Sequence, residues 1–138
     1  SWEEVIRLKE EGFSFGAHTS SHAILTSLPP EVVKREVEES KKTIEEKLGQ
    51  NVEFFCYPYG KFNSEVQAIV KDAGFSGAVV TPAGPGLEEG PFSLKRIGIN
   101  RNNSMFVFKL KVNGIFGWLR ERRLLWPILI KIKHDSSK

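Results

Sequence analysis

Aspartate is nearly absent from this 138-residue chain: of 17 acidic residues only Asp72 and Asp135 are aspartates. A mechanism that needs an aspartate beside a reactive centre therefore has two candidates. Cysteine occurs once, at Cys56, which excludes an internal disulfide and leaves the redox compartment open. Histidine occurs three times, at His18, His22 and His134. Long apolar runs are missing as well, because the longest, Leu124 to Ile130, is seven residues, where a spanning helix takes about 20. No internal repeat is visible. With 40% hydrophobic and 27% charged residues, the composition excludes a disordered or fibrous chain and is that of one globular domain. The first residues, Ser1-Trp2-Glu3-Glu4, are acidic and amphipathic, unlike a secretory leader, and there is no initiating Met. We expect residues upstream of Ser1 to complete the fold.

The net charge of +3 conceals a division. Residues 1 to 93 carry 9 Lys/Arg and 15 Asp/Glu, a net of −6, whereas residues 94 to 138 carry 11 and 2, a net of +9. The two parts are expected to face different surroundings.

Trp2, Val5, Ile6 and Leu8 followed by Gly12 predict a short amphipathic helix, and alternating Phe13 and Phe15 predict a strand over 13–17. Pro29-Pro30 opens the clearest helix, with Val32, Val33, Val37, Ile44 and Leu48 on one stripe and Gly49 as its stop. Its other face is Lys, Arg and Glu. The apolar stretch Val52 to Tyr57 predicts a second strand, ended by Pro58-Tyr59-Gly60; Ser64 is the expected cap of a helix that carries Val66, Ile69 and Val70 inward; Phe75 to Val80 predicts a third strand and Leu94 to Ile99 a fourth. Alternating helices and strands with short connections predict an α/β fold of parallel β/α units, whose reactive loops follow the carboxyl ends of the strands. So few units cannot close an eight-stranded barrel, which takes about 250 residues. A partial (β/α) barrel is the expectation, organised as a domain over 1–103 and a basic amphipathic helical segment over 104–138, broken by Gly114, Gly117 and Pro127.

Two segments at strand ends carry candidate chemistry. In Gly16-Ala17-His18-Thr19-Ser20-Ser21-His22, two imidazoles four apart can meet one metal on a tight loop, with Zn–N distances of about 2.0 Å. The same spacing also suits two exposed or capping histidines on a Ser/Thr loop. In Phe54-Phe55-Cys56-Tyr57-Pro58-Tyr59-Gly60, a Pro-aromatic-Gly turn fixes the backbone, presents amide N–H groups and offers an aromatic face, a combination suited to a sugar or an oxyanion. A turn with a core aromatic is the plainer alternative.

In order and spacing, His-Thr-x-x-His after a strand, an amphipathic helix, Phe-x-Tyr-Pro-Tyr-Gly, and Ala-Gly-Phe before another strand resemble the polysaccharide deacetylases of the NodB-homology type over roughly residues 2 to 100. Tyr-Pro-Tyr-Gly is most similar to the branch acting on β-1,6-linked N-acetylglucosamine polymers; other branches have an Arg two residues before the Pro, where this chain has Cys56. The resemblance implies metal-dependent hydrolysis of N-acetyl groups on a glycan, with zinc as the expected ion, His18 and His22 as two of its ligands, and Thr19 orienting their loop. It implies that the Tyr59 backbone N–H stabilises the oxyanion, that Pro58 shapes the turn, and that Tyr57 and Tyr59 flank the sugar. Cell-envelope or extracellular action is the matching expectation for location.

The chain also departs from that pattern. The family's third ligand and general base come from an Asp-Asp pair on an earlier strand, and no Asp precedes His18. The family's general acid is a late His, for which His134 is the remaining candidate. By itself, the chain is expected to bind metal weakly and hydrolyse little. A non-catalytic carbohydrate-binding or scaffold domain of the same fold is the alternative. Arg96 matches a late strand of the family, with a salt bridge as its plainer role. Trp118 to Trp126 mixes aromatics, leucines and arginines as interfacial helices do, so contact of 104–138 with a membrane surface is a further expectation. Nucleic-acid binding has no motif behind it.

Overall fold

The structure is a computed structural model and describes residues 1–81 and 90–114. The chain divides into two compact units, the first formed by residues 1–81 and 89–95 and the second by 82–88 and 96–138.

In the first unit, α1 (Trp2–Glu10) starts where the Ser1 hydroxyl accepts from the Glu4 N–H, and Gly12, at φ 94°, turns the chain away from it. The helix α2 (Pro30–Leu48) begins with proline at its first position, where a missing N–H costs nothing, and ends at Gly49 in the left-handed conformation, whose N–H bonds to the Glu45 carbonyl. Val33, Val37, Ser40 and Leu48 are its buried residues, the spacing of one helical face. Next come β1 (Phe54–Cys56), α3 (Ser64–Asp72), β2 (Gly77–Val80) and β3 (Leu94–Lys95). The three strands form a parallel sheet in the order β1-β2-β3. Ala17 adds a single parallel bridge to Phe55 on the outer side of β1. The expected arrangement of parallel β/α units in an α/β fold is the observed one.

Helices α2 and α3 pack on each other, and α1 packs on α2. Beneath them lie Leu25, Val33, Val37, Phe55, Val66, Val70, Phe75, Ala78 and Val80, all buried. Burying an aliphatic or aromatic side chain of this size contributes about 1.5–3 kcal/mol. Phe55 holds the centre, with its ring 5.4 Å from those of Tyr57 and Phe75. One polar tie closes the end of α2 onto β1: Glu45 Oε1 accepts from Lys41 Nζ at 2.7 Å and from the Val52 N–H at 2.9 Å, while Lys41 also donates to the Val52 carbonyl and lies over the Phe75 ring.

Several elements differ from the sequence expectation. The strand expected over 13–17 shrinks to the bridge at Ala17, because its pairing runs only to β1, and Phe13 is exposed. Asn63, not Ser64, caps α3, its side-chain oxygen accepting from the Val66 N–H. The fourth strand stops at Lys95 rather than Ile99, since Lys95 pairs with Val80, the last residue of β2, and no ladder remains beyond it. No residue of α1 is fully buried, so its apolar side covers the unit only partly.

In the second unit, α4 (Met105–Val112) is capped by Ser104, whose hydroxyl accepts from the Val107 N–H. Its polarity is inverted. Lys111 is buried and donates to the Gly98 carbonyl and the Asn103 side chain, whereas Met105, Phe106, Phe108 and Val112 are exposed. The rest of the expected basic segment, 115–138, lies outside the described residues, and His134 with it. Among the described residues no helix is long and apolar enough to cross a membrane.

Candidate metal centre

Parallel strands end on the same side of a sheet, so the segments after Ala17, β1 and β2 emerge together. His18 directly follows the Ala17 bridge, which is fixed by hydrogen bonds from the Ala17 N–H to the Phe54 carbonyl and from the Cys56 N–H to the Ala17 carbonyl, each 2.9 Å. Gly16 stands so close to β1 that a Cβ there would lie 2.9 Å from the Phe54 carbonyl oxygen.

His18 is half-buried, and its Nδ1 lies 2.6 Å from the Cys56 carbonyl oxygen. A carbonyl can only accept, so Nδ1 carries a proton, and the neutral form of a ring so held keeps its Nε2 lone pair for another partner. This is the arrangement that orients a metal-binding imidazole. The loop then turns back through two left-handed residues, Thr19 at φ 65° and His22 at φ 59°. That turn brings the exposed His22 ring to 4.8 Å from the His18 ring, centre to centre. Left-handed backbone costs a non-glycine residue about 1–2 kcal/mol, and strain of this kind gathers at functional loops.

Tyr59 is the third positive-φ residue, at φ 57° within the short turn Pro58–Gly60, and its ring lies 4.8 Å from that of His22. The ring is 62% exposed and forms a wall beside the histidines. Gly60 behind it touches the segment after β2: a Cβ would lie 2.7 Å from the Thr81 carbonyl oxygen, and its own φ is 65°. Only glycine fits there.

Tyr57 and Tyr59 have opposite fates. Tyr57 is fully buried, its ring stacked on Phe62 at 4.7 Å and its hydroxyl donating to the Phe92 carbonyl. Burial pushes its phenol up, keeping it protonated. The expectation that both rings flank a sugar is corrected: strand alternation turns Tyr57 into the core, and Tyr59 alone presents a ring. Pro58 is buried beneath the turn it shapes.

Thr19 also differs from expectation. Its Oγ1 is buried without a hydrogen-bond partner among the described residues, so it does not tie the loop down. That role falls to Glu36 on α2, which the sequence placed on a solvated charged face. Glu36 Oε2 accepts from the Ser20 and Ser21 N–H groups at 3.0 and 2.8 Å, and Oε1 accepts from the Ser21 hydroxyl at 2.8 Å. Burial raises the Glu36 carboxyl, but the hydrogen bonds from Ser21 and Ser20 and the charge of Arg35 outweigh it and leave it below the ordinary value.

The donor set suits a borderline-soft divalent ion in part. His18 and His22 supply two adjacent imidazoles, and the partnerless Thr19 hydroxyl lies between them in the chain. Among the described residues, however, no group of three or more His, Cys, Asp or Glu could hold a metal. The Glu36 oxygens are occupied by Ser20 and Ser21.

Comparisons with known proteins bear on the family and the fold. The family described as polysaccharide deacetylase matches residues 1–78. Among solved structures, the deacetylase PplD of Streptococcus pyogenes, in complex with acetate, is 28% identical, with a TM-score of 0.72 over 80% of this chain and 50% of its own. A polysaccharide deacetylase from Bacillus cereus is 24% identical, with a TM-score of 0.71 over 81% of this chain and 36% of its own. IcaB from Ammonifex degensii, at 21% identity and a TM-score of 0.60 over 74% and 48%, shares the fold. No curated protein matches by sequence. The chain thus spans about half or less of the length of the structures it matches. With more than half of its residues under the family's pattern and the partial-barrel fold of that family, the chain belongs to the polysaccharide deacetylases.

Proposed function

We propose that this chain carries the histidine side of a metal-dependent centre that hydrolyses N-acetyl groups on a glycan. The observation that supports this reading best is the ring contact between His18 and His22, with the His18 proton fixed on the Cys56 carbonyl, beside the exposed ring of Tyr59. When bound, a divalent ion, zinc in this reading, supplies Lewis-acid polarisation of the amide carbonyl and a nucleophile at neutral pH. His18 and His22 hold it through neutral nitrogen. The strained Tyr59 turn aims a backbone N–H toward the developing oxyanion, and the Tyr59 ring lies against the sugar face. Water adds to the carbonyl carbon, the C–N bond breaks, and acetate and a free amine on the glycan result. The third ligand and the general base must be carboxylates from outside the described residues. In the same way His134 is the proposed general acid. The residues alone are therefore expected to hydrolyse little.

The substrate class proposed is a β-1,6-linked N-acetylglucosamine polymer, supported by Tyr57-Pro58-Tyr59-Gly60 with Cys56 in place of an arginine. Such a substrate puts the reaction at the cell envelope or outside the cell. Contact of 104–138 with an anionic membrane surface is a separate proposal, supported by the outward apolar residues of α4 and the net charge of +9 over 94–138.

The deciding experiment measures zinc affinity and acetate release from β-1,6- and β-1,4-linked N-acetylglucosamine oligomers. It compares the 138-residue chain, the chain together with any natural sequence that precedes it, and His18→Ala and His22→Ala variants of each. Histidine-dependent zinc binding and acetate release from the longer form support the reading. Zinc binding and hydrolysis indifferent to both substitutions would end it, and glycan binding without zinc would favour the carbohydrate-binding alternative.

A further inference from the structure

We infer that Glu36 is the positioning residue of the histidine pair, an anion built into α2 that sets the shape of the His18–His22 turn. The inference rests on the reading of that pair as metal ligands. The turn is costly in isolation, since Thr19 and His22 both adopt positive φ and the Thr19 hydroxyl finds no partner. Something outside the loop must hold it.

The consecutive N–H groups of Ser20 and Ser21, following a left-handed residue, point at one spot and make an anion-binding concavity of the kind that otherwise takes phosphate. Here Glu36 Oε2 fills the concavity, Oε1 takes the Ser21 hydroxyl at 2.8 Å, and the Ser20 hydroxyl reaches the Glu36 carbonyl at 3.4 Å. Four contacts thus join two of the three residues between the ligands to one residue of the best-anchored helix. Val33 and Val37, on the adjoining face of the same helix, are buried, so the carboxylate sits on a rigid support. A carboxylate whose oxygens are spent on amide and hydroxyl donors is a poor metal ligand, and its place in the centre is to fix where the two imidazoles meet. A surface glutamate merely solvating α2 would make none of these contacts.

The test uses the protein at its full natural length, metal-free and zinc-loaded, as wild type, Glu36→Gln and Glu36→Ala. Backbone hydrogen exchange at Ser20 and Ser21 in the metal-free protein should accelerate at least about tenfold in Glu36→Ala, while the amides of β1 and β2 keep their rates. Zinc affinity should fall about 10- to 100-fold, the range that loss of an outer-shell partner produces. Should Glu36→Ala not fold, Glu36→Gln, matched in volume and still able to accept, should show a smaller change in the same direction. Wild type and both variants binding zinc equally, with equal exchange at Ser20 and Ser21, would overturn the inference and leave the metal reading standing. A wild type that binds no zinc would instead remove the metal reading, and the inference with it.

Discussion

The Nδ1 atom of His18 lies 2.6 Å from the carbonyl oxygen of Cys56, so the proton of one candidate ligand is fixed by the backbone at the end of β1. Because Ala17, one residue earlier, bridges Phe55, the position of this imidazole is set by how closely the chain before it approaches the sheet.

Gly16→Ala should disturb that approach. A Cβ at 2.9 Å from the Phe54 carbonyl must push the two segments apart by a few tenths of an ångström, and overpacking of this kind costs about 1–3 kcal/mol. Thermal unfolding should show the loss, and a zinc titration of the full-length protein should show affinity reduced several-fold. An unchanged Tm would count against it.

Tyr57→Phe should cost stability without touching the reaction. It removes the hydroxyl that donates to the Phe92 carbonyl while keeping the stack on Phe62, a loss of about 1–3 kcal/mol if the acceptor is left dry. Urea unfolding should move to lower concentration. Acetate release per folded molecule should match wild type, in contrast with what an exposed sugar-binding tyrosine would give.

Tyr59→Gly reverses that pattern. Its φ of 57° suits glycine, and the ring is mostly exposed. Relief of about 1–2 kcal/mol of backbone strain offsets about 0.5–1 kcal/mol of added chain freedom, so stability should hold or rise slightly. The KM for the glycan should rise several-fold as the wall beside His22 disappears. A KM equal to that of wild type would remove the ring from the binding site.

The tie between Glu45 and Lys41 predicts an acid limb in stability. Hydrogen bonding from Lys41, then from the Val52 N–H, holds the Glu45 carboxyl below its ordinary value of 4.5 despite partial burial. A folded-state pKa below the unfolded one gives stability that is complete above the unfolded value and drains away as pH falls through the folded one. Wild type should thus lose stability below about pH 4.5, and Glu45→Gln should flatten that limb when denaturation midpoints are measured from pH 7 to pH 3. A limb of unchanged slope would refute the assignment to Glu45.

The outward residues of α4 make a membrane experiment decisive. The full-length protein should co-sediment with vesicles containing anionic phospholipid, less so as salt is raised, and Phe106→Ser with Met105→Ser should weaken it at least several-fold. Binding to neutral and anionic vesicles alike, or none to either, would remove the proposal.

Much of the fold is written in local pattern. The Val33–Val37 stripe with proline before it and Gly49 after it determines α2, and the glycines and prolines that punctuate the chain set the strand ends, because propensity and periodicity act between near neighbours. The spacing of His18 and His22 likewise brought them forward as a pair. Pairing and burial, by contrast, depend on partners distant in sequence. Only the tertiary structure decided that residues 13–17 contribute one bridge, that Tyr57 faces the core while Tyr59 faces the histidines, and that Lys111 turns inward on α4. Glu36 is the clearest case. In sequence it is one more charge on a charged helix face, 14 residues from His22 with no motif to mark it; only the packing of α2 beside the loop brings its carboxylate onto the Ser20 and Ser21 amides, because hydrogen bonds act over ångströms in space however far apart the chain places their partners.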